Sequence, residues 1–160
     1  MENKNDQGIV ISEDVISKMV ATAALEIDGI ADMVSKPANI KGIFKDKSAK
    51  SVHVKFNDNA LYIDAFVKMK MGVDIVRKTM EKYPIDEKKV FVMGISMGGF
   101  GTWYTIATYP ELFAAAFPCC GAGDPSKAEI YKNIPIYTFH GEVDDVVPVK
   151  GTREMVEVIK

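Results

Sequence analysis

The sequence predicts a mixed fold, in which a small α+β module is followed by an α/β segment with a partial parallel sheet. Up to about residue 70, apolar residues first recur at helical spacing and then alternate with polar ones, which is typical of a helix and a β-hairpin. From residue 89 onward, continuous apolar strands alternate with helical segments over short links, which indicates α/β organisation. The composition also differs between the two parts of the chain. Residues 1–70 contain four aromatic residues and one of the seven prolines, whereas residues 71–160 contain eleven aromatic residues and six prolines.

The composition is that of a globular chain of 160 residues, 48% hydrophobic and 26% charged, enough for one domain or two small ones. The net charge of −2 gives no field that would attract nucleic acid or anionic lipid. The N-terminus lacks the layout of a signal peptide, and glycines and threonines interrupt the longest uncharged run, 90–110, so no transmembrane segment is predicted. The adjacent Cys119 and Cys120 are interpreted as small apolar residues of a buried strand in a reducing cytoplasm.

Local signals predict the N-terminal elements. Ser12 is a suitable N-cap for a helix that runs to residue 27, and Gly29 suits the left-handed position beyond its end. Residues 51–56 and 61–69 alternate around an Asn-Asp-Asn turn, which predicts a β-hairpin with one buried face. The lysine-rich residues 37–50 are interpreted as a solvated loop rather than a phosphate-binding one.

An amphipathic helix at residues 73–83 precedes the α/β segment. The apolar run 90–93 then predicts a parallel strand that is covered on both faces. The elements expected after it are a helix over 100–109, buried strands over 114–120 and 134–140, and a helix that begins at Thr152.

Gly94, Ser96 and Gly98 form the pattern G-x-S-x-G between a predicted strand and a predicted helix. In that context the pattern is typical of a nucleophile elbow, a strained turn that projects a serine hydroxyl above the sheet. Glycines on both sides would avoid side chains that clash where strand and helix approach each other. The free N–H groups at the helix N-terminus, that of Met97 among them, can bind a developing oxyanion. The alternative is a structural glycine-rich turn without chemistry.

An acidic loop within residues 138–148 is the second candidate element, since carboxylates follow a strand that ends at His140 and Gly141. A carboxylate one or two strands after a nucleophilic serine is where the acid of a catalytic triad is expected. The alternative is a solvated acidic turn. The chain contains two histidines, His140 and His53, and the latter is expected on the exposed polar face of its strand.

Residues from about 82 to 160 resemble the α/β-hydrolase superfamily, in its carboxylesterase or phospholipase-type branch, on the segments DEKKVFVMGISMGGFGTW, TYPELFAAAFPCCGAGD and IPIYTFHGEVDDVVPV. The resemblance implies a partial α/β-hydrolase sheet with Ser96 as nucleophile and the N–H of Met97 as an oxyanion donor. It also implies that Asp144, rather than Asp145, is the triad acid, and that His140 is structural.

The sequence departs from that family at the triad base. In the family the base histidine follows the helix that begins here at Thr152, whereas this chain ends at Lys160, so the order Ser…Asp…His lacks its third member. The early strands of the hydrolase sheet, and the loop with the second oxyanion donor, would precede residue 80, where the sequence has a different character.

Residues 8–73 resemble the alkaline-shock protein family of envelope-stress proteins, on the segments GIVISEDVISKMVATAALEIDGIADM and VHVKFNDNALYIDAFVKMKMGV. The resemblance implies a small α+β module that self-associates or docks on partners near the membrane, and it brings no catalytic residues. Two domains are therefore predicted: an alkaline-shock-like module over residues 1–73 and a partial hydrolase over residues 74–160.

Two hypotheses of function follow. The first is a cytoplasmic bacterial serine hydrolase that acts on a small carboxylic ester through Ser96 and is impaired because the base and the early strands are absent. The alternative is a non-catalytic interaction protein of the envelope-stress type, which self-associates through the incomplete sheet edge or the alkaline-shock-like module. No cofactor, metal ion or nucleic acid is expected in either case.

Overall fold

The structure is a computed structural model that describes residues 11–35, 51–70 and 74–160. The chain divides into two compact units, Met1–Lys82 and Tyr83–Lys160, here called the N-terminal unit and the C-terminal unit. None of the helices in the described ranges is long and apolar enough to cross a membrane. The predicted loop at residues 37–50 lies outside the described residues.

The described part of the N-terminal unit contains two helices and four strands. In chain order these are α1 Glu13–Leu25, β1 Ile30–Met33, β2 Val52–Asn57, β3 Ala60–Ala65, β4 Val67–Met69 and α2 Ile75–Lys82. The N-cap prediction is confirmed, because the Ser12 side chain accepts a hydrogen bond of 3.3 Å from the Val15 N–H. Gly29 has a φ of 104°, the left-handed backbone that was expected after this helix.

The hairpin prediction is confirmed for its first part and wrong for its second. Strands β2 and β3 pair antiparallel, and the turn residues Asp58 and Asn59 both have positive φ, as a tight hairpin turn requires. Beyond Phe66, whose N–H donates to Ser51 O, the second arm leaves the hairpin, and β4 pairs antiparallel with β1 instead. The sequence did not predict β1, since four residues without alternation carry no strand signal.

The expected buried face of the hairpin is also wrong. Val52 at its start is buried, but β3 is exposed along its whole length. Helix α1 packs against β1 and β2, so its cover reaches only one end of the hairpin.

The C-terminal unit is described in full. Its elements are β5 Phe91–Ile95, α3 Met97–Thr108, β6 Ala115–Cys119, α4 Ala128–Tyr131 and α5 Val149–Ile159, with single 3₁₀ turns at Glu87–Lys89, Pro110–Leu112 and Pro125–Lys127. Strands β5 and β6 are parallel and in register from Phe91 opposite Ala115 to Ile95 opposite Cys119. The last helix begins at Val149, three residues before its predicted start.

The predicted third strand, residues 134–140, is held to β6 by two isolated parallel bridges rather than a continuous ladder. The reason is Pro118 in β6, which has no N–H to donate. Its carbonyl instead accepts from the Thr138 hydroxyl at 2.7 Å. The backbone bonds from Tyr137 N to Ala116 O (3.0 Å) and from Cys120 N to Phe139 O (2.8 Å) keep this segment beside β6.

The prediction that β5 is covered on both faces is wrong. Helix α3 packs on one face of the sheet, and the core on that side centres on the buried Trp103, Ile106, Tyr131 and Met155. On the opposite face Phe91, Met93 and Ile95 are 56%, 76% and 58% exposed. These three residues, here called the open sheet face, are uncovered within residues 83–160.

Candidate active site

Ser96 lies at the turn between β5 and α3, which confirms the predicted strand-to-helix placement. Its φ of 56° and ψ of −118° are rare for a residue with a side chain. This backbone conformation costs about 1–3 kcal/mol, which the surrounding contacts must offset. Ser96 N–H donates to Cys119 O at 2.9 Å, and Ser96 O accepts from Phe100 N at 3.1 Å. The two bonds fix the turn to β6 on one side and to the first turn of α3 on the other.

The glycines around Ser96 differ in what they allow. A Cβ on Gly94 would lie 2.2 Å from the carbonyl oxygen of Gly98, so only glycine fits where β5 and α3 approach each other. Only glycine fits at Gly99 as well, where α3 approaches β6 and a Cβ would lie 2.3 Å from Cys119 O. The prediction that glycine is needed on both sides of Ser96 to avoid a clash is wrong for Gly98, because a Cβ there would meet nothing within 4 Å. The close packing of α3 against β5 and β6 therefore depends on Gly94 and Gly99.

Met97 is the first residue of α3, and its side chain is 86% exposed. The first N–H groups of a helix have no intrahelical acceptor, and the helix dipole makes this end favourable for negative charge. The backbone amide of Met97 is therefore in a suitable position to donate to an anion that forms next to Ser96.

Asp144 lies in the loop after the segment that runs beside β6. Its Oδ1 accepts hydrogen bonds from Val147 N at 2.9 Å and Val146 N at 3.0 Å, which leaves Oδ2 free of backbone donors. These two amides, and the nearby His140, hold the pKa of the Asp144 carboxyl below its usual value of 3.8. Its side chain is half-buried whereas Asp145 is exposed. Asp144 is thus an oriented carboxylate and Asp145 a solvated one.

His140 is held at both ring nitrogens, and its side chain is only 3% exposed. Nδ1 lies 2.6 Å from the Thr152 hydroxyl, and Nε2 lies 2.7 Å from Val147 O. Because Thr152 donates its own hydrogen to Gly121 O at 2.7 Å, it must accept from His140 Nδ1–H. The ring therefore ties the loop after β6 to α5, and neither nitrogen is free to take a proton from another residue.

His53 belongs to β2 of the N-terminal unit. Its ring contacts Phe66 edge to face, with centroids 5.9 Å apart. The side chain is half-buried, and its Nε2 is buried without a hydrogen-bond partner, so the expected exposure is wrong.

Cys120 is the residue of this region that sequence reasoning missed. It follows the end of β6, is half-buried and has a φ of 49°, a left-handed backbone like that of Ser96. Its thiol, a ring nitrogen of His140 and a carboxylate oxygen of Asp144 all lie within 4.8 Å of one another. Such a group of side chains could share a metal ion only if His140 gave up one of its contacts, because both of its ring nitrogens already face oxygen atoms. The only sequence signal was a cysteine followed by glycine just past an apolar strand.

Two family models match the chain. The phospholipase/carboxylesterase family matches residues 45–160, and the alkaline-shock family, with a cell envelope-related function, matches residues 1–83. Each match spans half of the chain or more, and residues 45–83 lie within both. The chain belongs to both families. The C-terminal unit is accordingly called the hydrolase unit below, and the N-terminal unit the alkaline-shock unit.

Individual relatives each match somewhat less than half of the chain. Over 73 residues the chain is 33% identical to a bifunctional acetylxylan esterase/xylanase of Neocallimastix patriciarum. The matched stretch covers 46% of this chain and 11% of that protein. Over 77 residues the chain is 38% identical to an uncharacterized protein of Streptococcus pyogenes. That matched stretch covers 46% of this chain and 64% of the other protein.

A solved structure shares the fold of part of the chain. It is a thermostable esterase with 53% sequence identity and a TM-score of 0.52, over 53% of this chain and 23% of the esterase chain. The chain thus spans less than two thirds of the length of each of these relatives. The partial α/β-hydrolase fold preceded by an α+β module is as the sequence predicted.

Proposed function

We propose that the hydrolase unit is a carboxylic-ester hydrolase unit in which Ser96 is the nucleophile, Met97 N–H an oxyanion donor and Asp144 the triad acid, and that this chain is impaired in catalysis. The observation that carries the proposal is the strained backbone of Ser96 at the N-terminus of α3. Such a conformation costs free energy and is typical of a nucleophile elbow, whereas an ordinary glycine-rich turn would place glycine at that position.

The reaction would be acyl transfer. Ser96 Oγ attacks the ester carbonyl carbon while a base takes its proton, and Met97 N–H stabilises the oxyanion. Collapse of the tetrahedral intermediate breaks the bond to the alcohol, which leaves with that proton, and water then hydrolyses the acyl-serine to the carboxylic acid. Relatives named acetylxylan esterases support a short acyl ester, such as an acetyl group on a polysaccharide, as the substrate class.

The proposed impairment rests on the base. The 160 residues contain two histidines, and both ring nitrogens of His140 are occupied by Thr152 and Val147. The other, His53, belongs to the alkaline-shock unit and packs on Phe66. A serine hydroxyl without a neighbouring base is a weak nucleophile, so we infer that Ser96 reacts slowly.

A fluorophosphonate probe tests the proposal, because it forms a covalent bond with nucleophilic serines. After prolonged incubation, mass spectrometry is expected to find the label on Ser96, at a rate far below that of an active serine hydrolase measured in parallel. Ser96→Ala should remain unlabelled, and Ser126→Ala, in a surface 3₁₀ turn, should label like the parent chain. Label on a different serine would refute Ser96 as the nucleophile, and rapid labelling would refute the impairment.

A second candidate function is supported by the alkaline-shock match and by the exposed apolar surfaces. We propose that the chain acts as a cytoplasmic envelope-stress module that self-associates. In the hydrolase unit, the open sheet face and the unpaired edge of β5 provide a surface for a second copy.

Self-association predicts a molar mass in light scattering that rises with concentration above that of the 17.6 kDa chain. Met93→Lys should lower that mass because it places a charge in the apolar contact, whereas Val143→Lys, on an exposed loop, should leave it unchanged. A chain that stays monomeric at every concentration, or a mass unaffected by Met93→Lys, would contradict this surface.

A further inference from the structure

Thr152 is a buried polar residue in the first turn of α5, and its hydroxyl joins two other segments of the hydrolase unit. The residue is only 6% exposed. Its hydroxyl donates to Gly121 O at 2.7 Å and lies 2.6 Å from His140 Nδ1. The buried Thr102 differs, because its hydroxyl donates to Gly98 O within its own helix α3. Of these two threonines, Thr152 is the one that links separate parts of the chain.

The direction of these hydrogen bonds follows from the hydrogens available. A threonine hydroxyl has one hydrogen and a carbonyl oxygen can only accept, so Thr152 donates to Gly121 O and accepts from Nδ1–H of His140. Val147 O, which lies 2.7 Å from Nε2, can also only accept. His140 therefore donates from both ring nitrogens. A ring with one hydrogen would leave one of these three bonds unmade in a buried place, which is costly.

The same ring contacts the loop that carries the candidate carboxylate. Val147 accepts from Nε2 through its carbonyl and donates through its N–H to Asp144 Oδ1 at 2.9 Å. Oδ2 of Asp144 lies 3.5 Å from Nε2 of His140, whose side chain is only 3% exposed. The amides of Val147 and Val146, together with the protonated ring, lower the pKa of the Asp144 carboxyl. The orientation of Asp144 therefore depends on how His140 is held.

The segment 119–121, which accepts from Thr152 through Gly121 O, also holds the strained turn at Ser96. Cys119 O accepts from the Ser96 N–H at 2.9 Å. Gly121 packs so closely on the first turn of α3 that an added Cβ would lie 2.6 Å from the backbone there. One hydroxyl thus connects the segment beside the candidate nucleophile with the ring that orients the candidate acid.

We propose that Thr152 is a positioning residue for the acyl transfer proposed above, and that its hydroxyl keeps a hydrogen on Nδ1 of His140 so that the ring holds the Asp144 loop in place. This inference rests on the proposed role of Asp144 as the triad acid. It adds that the position of the acid is set from α5, a helix that contributes no group to the proposed reaction.

Replacement of Thr152 by valine tests this role, because valine has nearly the shape of threonine and lacks the hydroxyl. Thr152→Ser keeps the hydroxyl and should behave like the parent chain. Thr102→Val is the matched control, since it removes a buried hydroxyl whose hydrogen bond lies within α3. Fluorescence of the single tryptophan, the buried Trp103, verifies that each variant of the full chain is folded.

Nitrogen NMR of the His140 ring at neutral pH, assigned with His140→Gln, is the first measurement. A hydrogen on Nδ1 is expected in the parent chain, in Thr152→Ser and in Thr102→Val. In Thr152→Val that hydrogen should be lost, because Nδ1 has no acceptor there while Nε2 still faces Val147 O.

The second measurement follows the Asp144 loop by NMR. In Thr152→Val the pKa of the Asp144 carboxyl should rise towards its usual value of 3.8. The Val146 and Val147 amides that donate to it should exchange their hydrogens at least about tenfold faster, because the ring no longer holds the loop. Thr102→Val should leave both properties as in the parent chain.

The proposal is overturned if Thr152→Val leaves either the Nδ1 hydrogen or the exchange rates unchanged, or if Thr152→Ser changes them as much. A parent chain without a hydrogen on Nδ1 would also overturn it, whatever the stability of the variants. These results do not depend on whether a probe labels Ser96. A label on a different serine would refute the proposed nucleophile and leave the measurements on His140 and Asp144 as they are.

Discussion

The purified chain is expected to hydrolyse a short-chain nitrophenyl ester near the background rate, about 10⁶-fold below the turnover of a hydrolase with a complete triad. Loss of the triad histidine has an effect of that size in a well-studied serine protease, because the serine proton then has no acceptor. A working base must lie within about 2.6–3.2 Å of the serine hydroxyl, and His140 has neither nitrogen available for this. The measurement is the initial rate at saturating ester, with an active esterase in parallel.

Ser96→Ala is the control for that assay and should change the rate little. A kcat in the ordinary range, about 1–10³ s⁻¹, that Ser96→Ala abolishes would contradict the proposed impairment while supporting Ser96 as the nucleophile. Separate replacement of His140 and His53 by glutamine would then identify the base, and activity that rises with the square of concentration would indicate a histidine from a second copy.

Gly94→Ala is expected to lower the free energy of unfolding of the hydrolase unit by about 3 kcal/mol or more. The added Cβ would lie 2.2 Å from the backbone oxygen of Gly98, and backbone cannot rotate away as a side chain can. Relief requires β5 and α3 to separate, which also disturbs the strained turn at Ser96. Urea unfolding followed by Trp103 fluorescence measures the effect, because this tryptophan is buried in the core next to α4.

Gly98→Ala provides the matched control four residues away. A Cβ at that position meets nothing within 4 Å, and alanine is favoured over glycine in a helix, so this variant should be unchanged or more stable by about 0.5–1 kcal/mol. Equal destabilisation by both substitutions would show that the close approach of β5 and α3 is not what Gly94 maintains.

Features that depend on a few consecutive residues were predictable. The Ser12 cap involves a hydroxyl and an amide three residues apart, and the turn at Ser96 follows from an apolar run, a glycine-rich pentad and a helical pattern in sequence. The tight turn at Asp58 and Asn59 is equally local. In each case the interacting groups are neighbours in the chain, so the residue types alone determine the conformation.

Features that join distant segments were decided by the tertiary structure. Strand β4 continues the alternation of β3 but pairs with β1, because pairing depends on which strand lies beside it rather than on its own pattern. The open sheet face lies in an apolar run for which burial was predicted, yet it is exposed. The sequence of a strand does not specify whether another layer covers it. Whether Gly94 or Gly98 is the constrained glycine likewise depends on the approach angle of α3.

The sequence by itself determined the two families, the turn that holds Ser96 and the candidate carboxylate. Only the tertiary structure showed that both nitrogens of His140 are occupied and that Cys120 lies beside His140 and Asp144. The physical reason is that these contacts depend on the register between β6 and residues 134–140. Backbone hydrogen bonds and the bond from the Thr138 hydroxyl to Pro118 O hold that register. A pattern of apolar and polar residues carries no information about such a bond until the two segments are placed side by side.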